Sequence, residues 1–352
     1  MKAATEQRAY GIDLLRGVAC VSVLVFHYLS RAPRAGWMTD VPLRQFEPAA
    51  RYGYLGVHLF FMVSGYVIFM SAIGRSPRAF VASRVARLYP ALWFAATITM
   101  LLVWGSGDTR FMVSVPEYLW NLTLVPQYAG ARFVDGAYWS LAVELQFYIL
   151  VWIALRTKLM PHVEWLVGGW LFLSLIDAIR PIYVFERWLI VQWAPLFVAG
   201  ATTFLVSSRG WTRARIALLA TAFALALRHA SMEAHRLASE WNATGPDAIV
   251  VCVVLTVAAA AFVLIGVGRI TMRRSRWATI PGILTYPLYL IHQFAGYVIY
   301  AAVSRVSGSF AFGLVGAALF AVMISVALHY GVEVPLGPRL RRLISGAAPR
   351  PG

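Results

Sequence analysis

Long apolar runs, separated by short polar connections, follow one another along the chain. Ten can be marked, over 14–29, 54–73, 88–105, 138–155, 165–179, 188–206, 216–227, 249–267, 283–303 and 312–330. A helix of about 20 apolar residues crosses a ~30 Å hydrocarbon core. The pattern therefore predicts an all-α polytopic integral membrane protein with about ten transmembrane helices. The runs consume most of the 352 residues, which leaves room for a single domain over 1–345 and a short tail at 346–352. Neither an internal repeat nor a low-complexity linker interrupts the order.

Composition supports the same class. Charged residues make up 13% of the chain and hydrophobic residues 60%, whereas a soluble domain averages about 25% charged. The net charge of +16 invites a nucleic-acid reading. The basic residues, however, punctuate the ends of apolar runs, which in a membrane protein encodes topology. Nineteen of the 31 Lys and Arg fall on one alternate set of connections and the two termini, against eleven on the other set. That bias predicts cytoplasmic termini in a cell inner (plasma) membrane, against lipid and without a nucleic-acid partner. The four arginines between Arg31 and Arg51 run against it. The first run carries Asp13, Arg16 and His27, unlike the apolar region of a signal peptide, and is expected to be retained. Cys20 and Cys252 lie inside apolar runs and read as small buried hydrophobes. No metal-ligand spacing is present.

Candidate chemistry begins where ionisable residues fall inside these runs, because such groups are costly in a membrane and mark sites or pathways. In GIDLLRGVACVSVLVFHYLS, Arg16 and His27 are eleven residues apart, or roughly 16 Å along a helix. Counting inward from the outer end of the fourth run puts Glu144 at a depth similar to His27. A His27–Glu144 pair would orient the imidazole as a general base. His292, in TYPLYLIH, reads either as a satisfied core group or as part of the site. Ser64 reads either as a helix-packing residue beside Gly65 or as a catalytic group. Arg84 and Arg87, one turn apart, read either as a positive-inside anchor or as a clamp for phosphate oxygens. With Arg16 on the same side, a donor with phosphates at the cytoplasmic mouth and an extended pantetheine arm would reach His27. No Gly-rich phosphate loop is present. The outer connections at 30–53 and 106–137 hold Trp37, Tyr118, Trp120 and Tyr128 beside Asp40, Glu47, Asp108 and Asp135. Those aromatics read as an interface belt or as stacking surfaces for a sugar.

Taken as a set, several motifs make the chain resemble the membrane acyltransferase 3 family. They are the Arg16-x10-His27 pair within IDLLRGVA, FFMVSG from Phe60 to Gly65, and Arg84-x-x-Arg87 followed by Leu88, Pro90 and Trp93. WSLAVELQFY from Trp139 to Tyr148, YPLYLIH from Tyr286 to His292 and Glu333-x-Pro335 complete the set. The resemblance implies transfer of an acyl group, commonly acetyl from acetyl-CoA, to a hydroxyl of a carbohydrate or glycolipid. It implies essential roles for Arg16 and His27 and a donor-binding role for Arg84 and Arg87. Tyr148, within the matched motif, joins Ser64 and His292 as a further candidate. Two departures stand out: His58 where relatives often carry an acid, and Thr285 where they carry a serine. The competing reading is a transporter or flippase of a polar solute, with acidic outer loops collecting substrate. Repeated halves and paired broken segments, which favour transport, are not evident in the sequence.

Overall fold

The computed structural model describes residues 2–241, 245–272 and 276–346. Most of the expected 346–352 tail, and Arg273 and Arg274 of one basic connection, lie outside the described residues. Among those described, every regular element is helical. The principal helices are α1 (Lys2–Phe26), α2 (Leu55–Ala72), α3 (Pro77–Ser106), α4 (Tyr138–Arg156), α5 (Val163–Ile179), α6 (Tyr183–Leu189) and α7 (Ala194–Arg209). Then follow α8 (Arg213–Glu240), α9 (Ala248–Gly266), α10 (Arg276–Ile291), α11 (Phe294–Ser307), α12 (Phe310–Leu328) and α13 (Val334–Ser345). Eight helical stretches among the described residues are long and apolar enough to cross a membrane. The α6–α7 pair, bent by 45°, would make a ninth, and Gly282–Ile291 is a shorter apolar helix. The protein is an all-α, multi-pass membrane protein.

The helices of the first and third runs start well before the apolar stretch, at Lys2 and Pro77, and three further runs differ for a physical reason. The seventh, expected over 216–227, is the 28-residue helix α8. Its second half carries Arg228, His229, Glu233 and Arg236, which hide it from a hydropathy count. The intervening alanines and leucines keep its helix propensity high. The sixth run breaks at Ile190, which sits at φ 45° ψ 39° in the left-handed region, shortly before Pro195 of α7. The ninth run, expected as one span, is two helices, with His292 and Gln293 forming the break between α10 and α11.

Chain contacts divide the protein into two compact units, whose boundaries fall inside α1, α4 and α10. The first comprises Met1–Val23, Arg51–Ser76 and Gln146–Gly282. Its centre is the seam between α2 and α7. A Cβ at Gly65 would collide with the Phe197 carbonyl, and one at Gly200 with the Met62 carbonyl. Small residues let membrane helices approach this closely. An aromatic stack of Phe147, Phe197 and Trp170 flanks the seam, with the Phe147 and Phe197 rings 4.2 Å apart.

The second unit comprises Leu24–Ala50, Pro77–Leu145 and Ile283–Gly352. Its longer connections, over 30–53 and 106–137, are ordered by internal pairing. Ser114 and Glu117 form a capping box for a short helix, Val115–Asn121, and Glu117 also binds Arg132 at 2.9 Å. Asp108 binds Arg110 at 2.6 Å and Glu47 binds Arg34 at 2.7 Å. Trp37 packs edge-on to Phe111 and Phe294. Asp135 is completely buried and accepts from two backbone N–H groups, Ala137 at 2.9 Å and Phe294 at 2.9 Å. One carboxylate thus ties the start of α4 to the start of α11.

Two predictions follow from this packing. Gly65→Ala should lower thermal stability in detergent by about 1–3 kcal/mol, because the collision is with backbone. Gly169→Ala, where a Cβ meets open space, should be neutral or stabilising by up to ~1 kcal/mol; equal melting temperatures would contradict the seam. Burial pushes the Asp135 carboxyl up to about 7, against the two N–H bonds that favour its charge. An acid whose folded pKa lies above its unfolded one stabilises the fold most below pH ~4 and loses that contribution as pH rises through 7. Melting temperature measured from pH 5 to pH 8 should therefore fall, and Asp135→Asn, though less stable, should flatten the slope.

Candidate active site

α1 ends at Phe26 and continues directly as a π-helix, His27–Arg31. The Ala32 N–H reaches back to the His27 carbonyl, and Pro33 comes next. Proline cannot sit in a tight α-turn without clashing with the carbonyl four residues back. The wider turn relieves that clash, and such π-turns recur at functional sites. Here the turn begins at His27 itself. The His27 carbonyl also accepts a hydrogen bond from the Tyr297 hydroxyl at 3.3 Å.

The His27 ring is paired with His292: Nδ1 of His27 and Nε2 of His292 are 2.8 Å apart, and the rings are stacked with centroids 5.0 Å apart. Nδ1 of His292 is 2.9 Å from the Tyr289 carbonyl. A carbonyl can only accept, so that nitrogen carries the proton. Nε2 of His292 is then the acceptor, and Nδ1–H of His27 donates to it. The remaining nitrogen of His27, Nε2, keeps its lone pair. His292 is fully buried at 1% exposure while His27 is only half-buried. A backbone carbonyl thus sets both tautomers, and the more accessible imidazole is left as a base.

The break after α10 supplies the surroundings. Tyr28 donates its hydroxyl to the His292 carbonyl at 2.6 Å, and Tyr138 donates to the Leu290 carbonyl at 3.1 Å. Asp135 holds the first N–H of α11. These tyrosines and Asp135 were not singled out as site residues from sequence. The hint available was a Tyr-rich, interrupted apolar run, since freed backbone groups in a membrane require partners.

The partner of His27 is therefore His292, not the Glu144 expected from depth. α4 runs antiparallel to α10, with Tyr138 at Leu290 and Ser140 at Tyr289, so Glu144, four residues further along α4, lies toward the Tyr286 end. Tyr286 lies six residues, or ~9 Å along α10, from His292. The depth count compared only the first and fourth runs, and so did not register His292, which lies at the break in the ninth.

At the Tyr286 end stands a second charged group. The Arg87 guanidinium lies 5.3 Å from the Tyr286 ring centre and 3.9 Å from Glu333. Glu333 also meets His329 at 2.7 Å, and both belong to a second π-helix, His329–Glu333. Arg84 sits one turn before Arg87, half-buried, over the Phe80 ring. Thr285, next to Tyr286, is buried.

The first unit holds the other candidates. Arg16 is half-buried and 3.6 Å from Asp13. Ser64 adjoins Gly65 of the α2–α7 seam, and Tyr148 is buried beside Phe147. His58 is buried, with Nε2 3.5 Å from Glu233 and its ring edge-on to Trp193. The carboxylate beside His58 is thus supplied by α8. No group of three or more His, Cys, Asp or Glu positioned to hold a metal occurs among the described residues.

Comparison with known proteins shows the family. The acyltransferase 3 profile, described as an acyltransferase domain, matches residues 9–330. The exopolysaccharide production protein ExoZ of Rhizobium meliloti (strain 1021) is 26% identical over 321 residues, 85% of this chain and 94% of ExoZ. The putative membrane-bound transacylase BcsY of Komagataeibacter xylinus is 30% identical over 173 residues, 45% of this chain and 40% of BcsY. The O-acetyltransferase OatA of Staphylococcus aureus (strain NCTC 8325 / PS 47) is 25% identical over 158 residues, 40% of this chain and 23% of OatA. No solved structure matches. The transport reading had relied on acidic outer loops, yet Glu47, Asp108 and Asp135 are all engaged internally. With the profile covering nearly its whole length, the chain belongs to the acyltransferase 3 family and is a membrane acyltransferase.

Proposed function

We propose that the chain transfers an acyl group, acetyl in the first instance, from acyl-CoA to a hydroxyl of a polysaccharide or glycolipid. The observation that carries this reading is the His27–His292 pair with its backbone-set tautomers. A hydroxyl placed at His27 Nε2 gives up its proton there as its oxygen attacks the thioester carbonyl. The C–S bond then breaks, and the departing thiolate takes the proton back as the CoA thiol. While His27 is charged, its Nδ1–H still donates to His292, so the pair keeps its geometry through the step. The polysaccharide acceptor is supported by the name of ExoZ, and acetyl by that of OatA.

Arg84 and Arg87 are proposed to hold the donor phosphates. Arg87 stands at the Tyr286 level of α10, ~9 Å along that helix from His292, within reach of an extended pantetheine arm. Glu333 orients Arg87 until the phosphates arrive. Arg16, on the first helix, is proposed to be essential on the family resemblance. The basic-residue bias supports cytoplasmic entry of the donor and an inner-membrane location with both termini cytoplasmic. Those termini require an even number of spans, which about ten would give if α6–α7 and α10–α11 each cross once.

Thiol release from acetyl-CoA by purified protein, with mass spectrometry of cell-envelope glycans, tests the reaction. His27→Ala should lower the rate by ~10²-fold or more, and His292→Ala by at least ~10-fold, because the His27 proton is no longer held on Nδ1. Wild-type rates in a His27→Ala protein that still inserts would overturn the mechanism. Arg87→Ala should raise KM for acetyl-CoA by about tenfold, the value of one charge-assisted hydrogen bond, with a smaller effect on kcat. An unchanged donor KM would remove Arg87 from the phosphate site.

A further inference from the structure

Three arginines in the connections of the second unit are matched by a carboxylate. Arg34 meets Glu47 at 2.7 Å, Arg110 meets Asp108 at 2.6 Å and Arg132 meets Glu117 at 2.9 Å. Arg31 is not matched. It is half-buried, and among the described residues no carboxylate, carbonyl or hydroxyl meets its guanidinium. The group lies instead over the Trp37 ring, 5.4 Å from the ring centre. Topology does not account for it, because Arg31 falls on the set of connections that the basic-residue bias leaves poor in cations.

Arg31 closes the π-turn that His27 opens. Residues four apart share one face of a helix, and helical side chains lean toward the N-terminus, so Arg31 leans back toward His27. Its platform belongs to the same place. The Trp37 ring centre is 5.9 Å from that of Tyr297, whose hydroxyl binds the His27 carbonyl, and Trp37 also packs on Phe294, the first residue of α11. Neither His27 nor Arg31 is closed over, so one face of one turn offers an arriving molecule both a base and a cation. A guanidinium stacked on an aromatic face keeps its in-plane N–H fork free, and that fork matches two oxygens of a carboxylate or phosphate. A half-buried cation without a counter-charge is costly, and an anion bound there removes the mismatch. The donor phosphates are assigned to Arg87 at the Tyr286 level, whereas Arg31 stands at the Trp37–Phe294 end of the break. The anion at Arg31 is therefore carried by the acceptor.

We propose that Arg31 is a specificity-determining residue that binds an oxyanion, carboxylate or phosphate, on the acceptor sugar while a hydroxyl of that sugar is presented to His27. The preferred acceptor is then an anionic polysaccharide or glycolipid. This inference rests on the acyl-transfer reading above. A neutral sugar would leave the guanidinium unmatched in the complex, so it is disfavoured on binding even though its hydroxyl is equally reactive.

The test uses purified full-length protein with acetyl-CoA and three acceptor probes built on one ring: methyl β-glucopyranoside, its uronic acid and its 6-phosphate. Wild-type protein should favour at least one anionic probe over the neutral sugar by ~10-fold or more in kcat/KM, the value of one charge-assisted hydrogen bond. Which anion leads distinguishes a carboxylate-bearing acceptor from a phosphorylated one. Arg31→Gln should bring the anionic probes down to the level of the neutral sugar, chiefly through acceptor KM. Arg31→Lys keeps the charge without the fork and should retain only part of the preference. The melting temperature of Arg31→Gln should be no lower than wild type, since the change removes an unmatched charge. A loss of equal size on all three probes, whether from a fallen melting temperature or from a charge that serves the transition state, overturns the inference. A wild-type protein that acetylates the three probes equally overturns it too, while leaving the reaction intact. Failure of wild-type protein to acetylate any probe, with thiol release equal to that of His27→Gln, overturns the reaction itself.

Discussion

The break between α10 and α11 is the constraint on which the site depends. A membrane offers no water to a freed carbonyl or N–H, so each must find a partner inside the protein. Ending α10 at Ile291 and restarting at Phe294 releases several at once. The Tyr289 carbonyl takes the His292 Nδ1 proton, Leu290 takes the Tyr138 hydroxyl, and His292 takes the Tyr28 hydroxyl. The new N-terminus is taken by Asp135. The residues that surround the two imidazoles are thus the ones needed to make the interruption tolerable. Site and break have a common cause. The hydrogen bond that sets the His292 tautomer also satisfies the end of a helix.

That origin explains what the sequence revealed and what it withheld. The apolar runs were legible because a 20-residue apolar segment has few other uses. α2, α4, α5 and α9 lie within one or two residues of their expected ends. His27 and the arginines were legible for the converse reason, as ionisable groups in apolar runs. The His27–His292 pairing was not, because it joins residues 265 positions apart and depends on where α10 stops. Hydropathy does not register a two-residue interruption when both sides are apolar. α8 was cut short for the opposite reason: His229 and Glu233 look like a connection, but Glu233 faces His58 inside the first unit.

Proline supplies a signal that hydropathy lacks. Both π-helices of the second unit are followed by one capping residue and then a proline, Ala32 and Pro33 after the first, Val334 and Pro335 after the second. In each case the chain widens its turn instead of kinking, and in each a functional candidate sits on the widened turn: His27 opens one, Glu333 closes the other. The Glu333-x-Pro335 spacing quoted for the family resemblance thus has a mechanical content. Proline imposes the π-turn, and Glu333 lies between His329 and Arg87.

The choice of imidazole over carboxylate as the partner of His27 follows from the same environment. A carboxylate beside His27 would bring a full negative charge into a buried, helix-lined region, where unpaired charge is expensive. A neutral imidazole anchored on a backbone carbonyl performs the orienting task at no net charge. The carboxylates of the second unit are instead placed where a cation or a backbone dipole answers them: Glu333 on Arg87, Asp135 on two N–H groups. Charge then develops at His27 only while a proton is in transit. A resting site without net charge on the dyad admits both a neutral sugar hydroxyl and a neutral thioester, the two groups that acyl transfer must bring together.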